Sequence, residues 1–280
     1  MIPIAETEID RLIAEDVGYG DLTTRTLGIA GRPGRISFAA RDPMVACATE
    51  EAARILARLG AVPRLLVASG EGVAAETMLL EATGAAGALH AGWKVAQTLI
   101  EWSAGVASAV RDIIDAARTV APGITVACTR KSVPLTRAFS IKAVLAGGGA
   151  IHRTGLGDTV LVFPEHRAFL LGEDLAVTLA RLRAAAPERA IVVEVGSSDD
   201  ALSAAAAGAD VVQLEKFSPA AVAEVRARMS DAGTRAKLAA AGGVNAANAA
   251  AYAKAGADIL VTSAPYTARP RDVQVLISAG

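Results

Sequence analysis

The sequence predicts an α/β protein in which βα units surround a parallel sheet, preceded by a smaller α+β unit. Three observations predict it. Short apolar runs recur late in the chain: IVVEV (191–195), VVQLE (211–215) and ILVTS (259–263). Helix-forming stretches with clear start and stop residues separate them. Finally, AGADVVQLE and AGADILVTS repeat one unit of helix end, Gly, Asp and buried strand. Short strands alternating with helices of this length build a barrel or a doubly wound sheet, and either architecture binds ligands at the carboxyl ends of its strands.

The first 90 or so residues follow another pattern. RISFAARDPMVAC reads as a strand broken at Pro43. TEEAARILARLG reads as a helix capped by Thr49 and stopped by Gly60, and PRLLVASGEGV and TMLLEATG read as antiparallel strands. Lys94 to Ala117 has the pattern of a long amphipathic helix with a soft point at Gly105. A boundary near residues 100–115 follows. ITVAC (124–128) is a strand leading into TRKS, and a helix runs from about Pro134 to the triple glycine 147–149, where Gly147 reads as a simple helix-ending turn. DTVLVF (158–163) leads into PEH. Ser198 or Asp199 caps the helix after IVVEV, and Gly208 ends it. Ser218 caps the next, with Pro219 at its first position. AAAGGVN (239–245) runs from a strand into a helix starting near Asn245.

Composition narrows the function classes. Of 280 residues, 52% are hydrophobic, so a sizeable core is available and disorder is disfavoured. A net charge of −1 argues against nucleic-acid binding by bulk charge. Mean hydropathy is +0.39, yet the longest uncharged stretch, Leu238–Ala253, is 16 residues and holds two glycines and two asparagines. A spanning helix needs about 18 predominantly apolar residues. MIPIAETEIDRL lacks the basic start of a signal peptide, and Cys47 and Cys128 are too few for a disulfide scaffold or a zinc site. The expectation is a cytoplasmic globular protein.

The chemistry gathers in mid-chain. The 42 residues between Asp115 and Asp158 contain no Asp or Glu, but hold Arg118, Arg130, Lys131, Arg137, Lys142 and Arg153, with His152. Such a cluster predicts an anionic ligand of several charges, with Arg gripping carboxylate or phosphate bidentately and Lys acting as a point charge. Arg130 and Lys131 follow a strand directly. His152 and Arg153 precede one, so reaching the ligand face requires an inward loop. Arg118 and Arg137 read equally well as solvated helix charges.

Glu194 and Glu215 bring acids to the ends of two later strands, where Mg²⁺ bound with ligand phosphates, or a cation-like carbon, would place them beside a polyanion. Gly242 and Gly243, with a helix N-terminus behind them, and Ser263 in the next turn are candidate phosphate groups. His166 follows a strand and is a weaker candidate. Cys128, Trp93 and Trp102 read as packing.

These segments resemble the quinolinate phosphoribosyltransferase (nicotinate-nucleotide pyrophosphorylase, carboxylating) family. EDVGYGDLTT, SAGVAS, TRKSVPLTR, GGGAIHRTGLGDTVLV, VEV, QLEKF, AAAGGVN and AGADILVTS carry the likeness along nearly the whole chain. The resemblance implies an N-terminal α/β sandwich domain plus a C-terminal open TIM-like α/β barrel. The expected division is 1–108 and 109–270, with 271–280 packing back on the N-terminal domain. It implies a homodimer, or a higher assembly of dimers, that joins a pyridine dicarboxylate to phosphoribosyl pyrophosphate, with release of pyrophosphate and carbon dioxide.

Carried over by motif, Arg130, His152 and Arg153 hold the acid, and Lys131 meets the pyrophosphate or ribose end. Glu194 and Glu215 flank the ribose and its Mg²⁺, and Gly242, Gly243 and the 262–264 turn with Ser263 take the 5′-phosphate. Lys94 stands where the family has an arginine donated across the dimer. The family's I-K-D-N-H is Val162-Phe163-Pro164-Glu165-His166 here, its L-D-N is Leu214-Glu215-Lys216, and its S-G-G is Ala241-Gly242-Gly243. These departures, Phe163 foremost, resemble the ModD branch, associated with molybdate transport. They leave open a different heterocyclic or pterin-like acceptor, or a non-catalytic ligand-binding protein.

Overall fold

The computed structural model describes residues 2–280. In chain order the elements are α1 (Glu6–Val17), α2 (Leu22–Thr26), β1 (Pro33–Ala40), β2 (Met44–Val45), α3 (Thr49–Arg58), β3 (Val62–Leu65), β4 (Gly72–Val73), β5 (Met78–Ala85) and α4 (Ala86–Arg118). There follow β6 (Thr125–Cys128), α5 (Arg137–Ala146), β7 (Ala150–Ile151), β8 (Val160–Val162), α6 (Pro164–Arg167), α7 (Leu175–Ala185) and β9 (Ile191–Val195). The chain ends with α8 (Ser198–Ala206), β10 (Val211–Glu215), α9 (Pro219–Asp231), β11 (Lys237–Ala241), α10 (Ala249–Lys254), β12 (Ile259–Thr262) and β13 (Val273–Ala279). Two compact units result, and neither is continuous in sequence. The first runs to Arg111 and adds Val133–Gly148 and Pro265–Gly280; the second is Asp112–Ser132 with Gly149–Ala264.

The first unit holds an antiparallel sheet in the order β13-β1-β5-β3. In β1, every second residue is buried, so Ile36 and Phe38 enter a core with Leu56, Leu79, Leu80, Leu89, Ile100 and Val273. β13 adds the edge strand in a register that sets Ile36 opposite Ile277. The helix predicted to start at Thr49 has its N-cap at Ala48 instead, in the left-handed region at φ 61°, and the Thr49 hydroxyl has no hydrogen-bond partner among the described residues.

Gly105 is not a soft point, since α4 runs through it unbroken. A Cβ there would come within 2.4 Å of the Arg269 carbonyl oxygen, so the glycine admits a crossing segment. Gly147 likewise lets the chain meet α4: a Cβ would approach the Ala107 carbonyl oxygen at 2.4 Å, whereas Gly148, at φ 87°, makes the turn.

Lys142 is also corrected. It is buried in the first unit, with Nζ 2.5 Å from Glu51 and 3.0 Å from Glu50. Burial tends to raise the Glu50 pKa, but hydrogen bonds from the Ser69 hydroxyl and N–H, and from Lys142, bring it down to about 2.

The second unit is a seven-stranded sheet in the order β7-β6-β12-β11-β10-β9-β8, parallel throughout. The edge strands β7 and β8 do not pair with each other, so the barrel is open. Its helices start on side-chain caps where serine or aspartate is available: Ser197 for α8, one residue before the predicted pair, Ser218 for α9 and Asp174 for α7. No helix among the described residues is long and apolar enough to cross a membrane.

Replacing Lys142 with Ala leaves two carboxylates without their shared cation. We expect a loss of about 3–5 kcal/mol of stability at pH 7 in urea denaturation. Because the folded Glu50 pKa is depressed, its contribution is full above the ordinary glutamate value. It disappears as pH falls toward 2, so wild-type stability declines across that window.

Candidate active site

Parallel strands share one direction, so their carboxyl ends form one rim. A cavity of about 810 Å³ opens there, lined entirely by the second unit. Period-two alternation selects the residues that face it. From β10 these are Gln213 and Glu215, whereas Val212 and Leu214 are fully buried. β9 contributes Glu194, β8 Leu161 and then Phe163, β11 Ala241, and β12 Val261 and then Ser263. Ala239, Ala241 and Val261 pack as a small-residue cluster.

Of the predicted site residues, Arg130, Lys131, His152, Arg153, Phe163, Glu194, Glu215, Gly242, Gly243 and Ser263 all line this cavity. Lys94 belongs to the first unit. It lies over the Trp93 ring, donates to Gln97 Oε1 at 2.9 Å, and lines a separate recess with Glu15, Asp16 and Trp102. The mid-chain basic run disperses in three dimensions: Arg118 and Arg137 are exposed, and Lys142 is the buried partner of Glu50 and Glu51. His166 stacks on Phe163 and accepts the Phe163 N–H at Nδ1, 3.0 Å away, closing the start of α6.

His152 and Arg153 need no inward loop. The two-residue strand β7 pairs in parallel with β6, so both residues follow a strand end, and the His152 N–H donates to the Cys128 carbonyl at 2.9 Å. A two-residue strand leaves no periodic signal in a sequence. Arg153 is 9% exposed, and its guanidinium lies 5.5 Å from the centre of the Phe163 ring. Side chains following the two unpaired edge strands therefore meet across the barrel opening.

The electrostatics suit an anion. Burial and nearby Arg130 lower the Arg153 pKa, with Asp158 pulling the other way. Burial and Arg153 hold the His152 imidazole below its usual pKa, against the opposing pull of Gln213. Among the described residues, no salt bridge uses Arg130, Lys131, Arg153 or Lys216. On the acidic side, Gln213 stands opposite Glu194 in the β9–β10 register and donates to its Oε2 at 2.7 Å. Burial raises the Glu194 pKa, the Gln213 bond lowers it, and Glu215 raises it again.

Sequence reading passed over Gln213 and Lys216 as site residues. The parity of Gln213 with Glu215 within VVQLE was the available signal for the first.

The glycine loop differs from its expected form. α10 begins at Ala249 and is six residues long, so no helix N-terminus stands behind Gly242–Gly243. Side chains occupy the loop amides instead: Asn248 Oδ1 accepts the Asn245 N–H and Asn245 Oδ1 accepts the Ala247 N–H. The Thr262 hydroxyl donates to the Val244 carbonyl at 2.6 Å, tying this loop to the end of β12. Both glycines have positive φ, 85° and 94°. The two cysteines are buried, and burial pushes both thiols to about 12, which removes them as nucleophiles.

Comparison with known proteins places these features. The model for the quinolinate phosphoribosyl transferase C-terminal domain matches residues 106–276, and that for the N-terminal domain matches residues 21–104. "Putative pyrophosphorylase ModD" of Rhodobacter capsulatus is 54% identical over 256 residues, covering 91% of this chain and 98% of that one. The "Probable nicotinate-nucleotide pyrophosphorylase" of Synechocystis is 30% identical over 269 residues, covering 95% and 90%. The nicotinate-nucleotide pyrophosphorylase structure from Francisella tularensis superposes with a TM-score of 0.89 at 22% identity, over 99% of this chain and 98% of that one, and so shares the fold.

Lys131→Ala is expected to weaken binding of inorganic pyrophosphate about 10- to 100-fold by calorimetry, the loss of one charge-assisted contact. Arg118→Ala is expected to leave it unchanged. Equal effects would remove the cavity as the anion site.

Proposed function

The chain belongs to the quinolinate phosphoribosyl transferase family, whose members are pentosyltransferases, and we propose that it transfers the ribose 5-phosphate of phosphoribosyl pyrophosphate to a ring nitrogen of a heterocyclic acid. The observation that carries this reading is the meeting of unpaired cations, two carboxylates and a positive-φ glycine loop in one cavity.

In this reading, the ring nitrogen lone pair forms a bond to C1 of the ribose while the C1–oxygen bond to pyrophosphate breaks, its electron pair leaving on the pyrophosphate. No covalent enzyme intermediate is required. Lys131 and Arg130 neutralise the departing charge, and the Glu194 and Glu215 side chains face the carbon as it becomes cation-like. The catalytic contribution is alignment and preorganised charge. Gly242, Gly243 and Ser263 receive the 5′-phosphate. Lys94 acts in the cavity of a second copy within a dimer.

Mg²⁺ fits this donor set only with the substrate's help. Among the described residues, no group of three or more His, Cys, Asp or Glu side chains could hold a metal. Glu194 and Glu215 would hold the ion together with phosphate oxygens of the substrate, a donor set that Mg²⁺ accepts. When bound there, Mg²⁺ supplies Lewis-acid neutralisation of the pyrophosphate.

A second reading concerns the acceptor. Phe163, flanked by Arg153 and His166, makes one wall of the cavity an aromatic plane. Arg153 and His152 grip an acid group, and Phe163 favours a flat ring over a second carboxylate. This supports a heteroaromatic acid other than quinolinate, and a transfer without decarboxylation. The 54% relative carries a name different from that of the nicotinate-nucleotide enzymes, which is consistent with such a change.

The test is incubation of pure protein with phosphoribosyl pyrophosphate, Mg²⁺ and a panel of heteroaromatic acids including quinolinate, with pyrophosphate and carbon dioxide measured. Pyrophosphate release with any member supports the transferase. Release without carbon dioxide from a non-quinolinate acid supports the second reading. Failure to bind phosphoribosyl pyrophosphate overturns both.

Glu194→Gln is expected to remove most of the rate of pyrophosphate release, because the carboxylate charge that faces the cation-like carbon is lost.

A further inference from the structure

The glycine loop that receives a phosphate monoester in the proposed reading has no cation of its own. Its helix starts too late, and the N–H groups of Asn245 and Ala247 already serve side chains. Strand order decides which cation can reach it. Gly242 and Gly243 follow β11, whose neighbours are β12 and β10. Arg130 and Lys131 follow β6, which β12 separates from β11, and Arg153 follows β7, one strand further away. The cation following an adjacent strand is Lys216, after β10.

Three observations tie Lys216 to this loop. Its N–H donates to the Ala241 carbonyl at 2.8 Å, continuing the β10–β11 register by one residue. Its side-chain stem lies against Gly242, beside the Glu215 carboxylate: a Cβ on that glycine would sit 2.6 Å from Lys216 Cγ, 2.7 Å from its backbone nitrogen and 3.0 Å from Glu215 Oε1. Its φ is 61°, in the left-handed region that disfavours a lysine and suits a glycine. The chain therefore holds a long cationic side chain in a strained conformation at the cavity wall, where glycine would fit without strain. No salt bridge occupies it among the described residues.

We propose that Lys216 is the cationic arm of the phosphate-monoester subsite, closing over Gly242–Gly243 onto the 5′-phosphate. This rests on the transferase reading of the cavity. Gly242 is then required twice, for its own φ of 85° and to leave room for the lysine stem. The ammonium acts as a point charge, and the glycine loop gives the phosphate a close backbone approach.

The experiment measures binding of ribose 5-phosphate and of inorganic pyrophosphate separately, by calorimetry, to wild type, Lys216→Gly and Lys216→Arg, with thermal unfolding of each. In Lys216→Gly, ribose 5-phosphate affinity is expected to fall about 10- to 100-fold, with pyrophosphate affinity held within about threefold. Its Tm should be unchanged or higher, because glycine relieves the left-handed backbone. Lys216→Arg should retain ribose 5-phosphate binding within about fivefold.

Unchanged ribose 5-phosphate affinity in Lys216→Gly overturns the proposal. So does an equal or larger loss for pyrophosphate, or a loss in Lys216→Arg matching that in Lys216→Gly. Each of these leaves the transferase reading standing. If wild type binds neither ligand, both fall together.

Discussion

Parallel hydrogen bonding across seven strands is the constraint on which the rest depends. It sends every carboxyl end to one rim, so residues more than 130 positions apart in sequence, from Arg130 to Ser263, line a single cavity. The pleat then selects among them. In β10 the same alternation that buries Val212 and Leu214 turns Gln213 and Glu215 into the cavity. The register sets Gln213 beside Glu194, and that hydrogen bond partly offsets what burial does to the carboxylate.

The two sides of the rim carry opposite charge because different strands supply them. β6 and β7 deliver Arg130, Lys131 and Arg153, and β9 and β10 the acids, with Lys216 just past β10 as the one cation on the acidic side among the described lining residues. Their separation gives the cavity a polarity along which an anionic leaving group and a cation-like carbon can be distinguished. Where the open barrel brings its two edges together, Arg153 over Phe163 joins a charge to an aromatic face. An acid-gripping guanidinium thus shares its contact with a ring surface, and this pairing makes that end of the cavity unlike its phosphate end.

Much of this was legible in the sequence, for definable reasons. The strands β9, β10 and β12 announced themselves through β-branched runs between glycine-terminated helices, and parallel topology converted strand ends into site positions. The features that escaped depend on contacts distant in the chain. Gly105 and Gly147 resemble helix breakers until the segments packed against them are known. Lys142 belonged to the acid-free basic run only along the sequence, because its carboxylate partners lie some 90 residues upstream. Strand β7 is too short for periodicity to register. The asparagine turns after Gly243 displaced the expected helix start by four residues, since side-chain amides there compete with helical hydrogen bonds.

The N-terminal sheet has a further property. Its first strand, β1, pairs on one side with β5 and on the other with β13. Some 230 residues separate β1 from β13. While the polypeptide emerges from the ribosome, β1 stays an uncovered edge until β13 has been made. Such an edge is a template for pairing with other nascent chains. The sheet of this unit is therefore closed by a strand made some 230 residues after the one it covers.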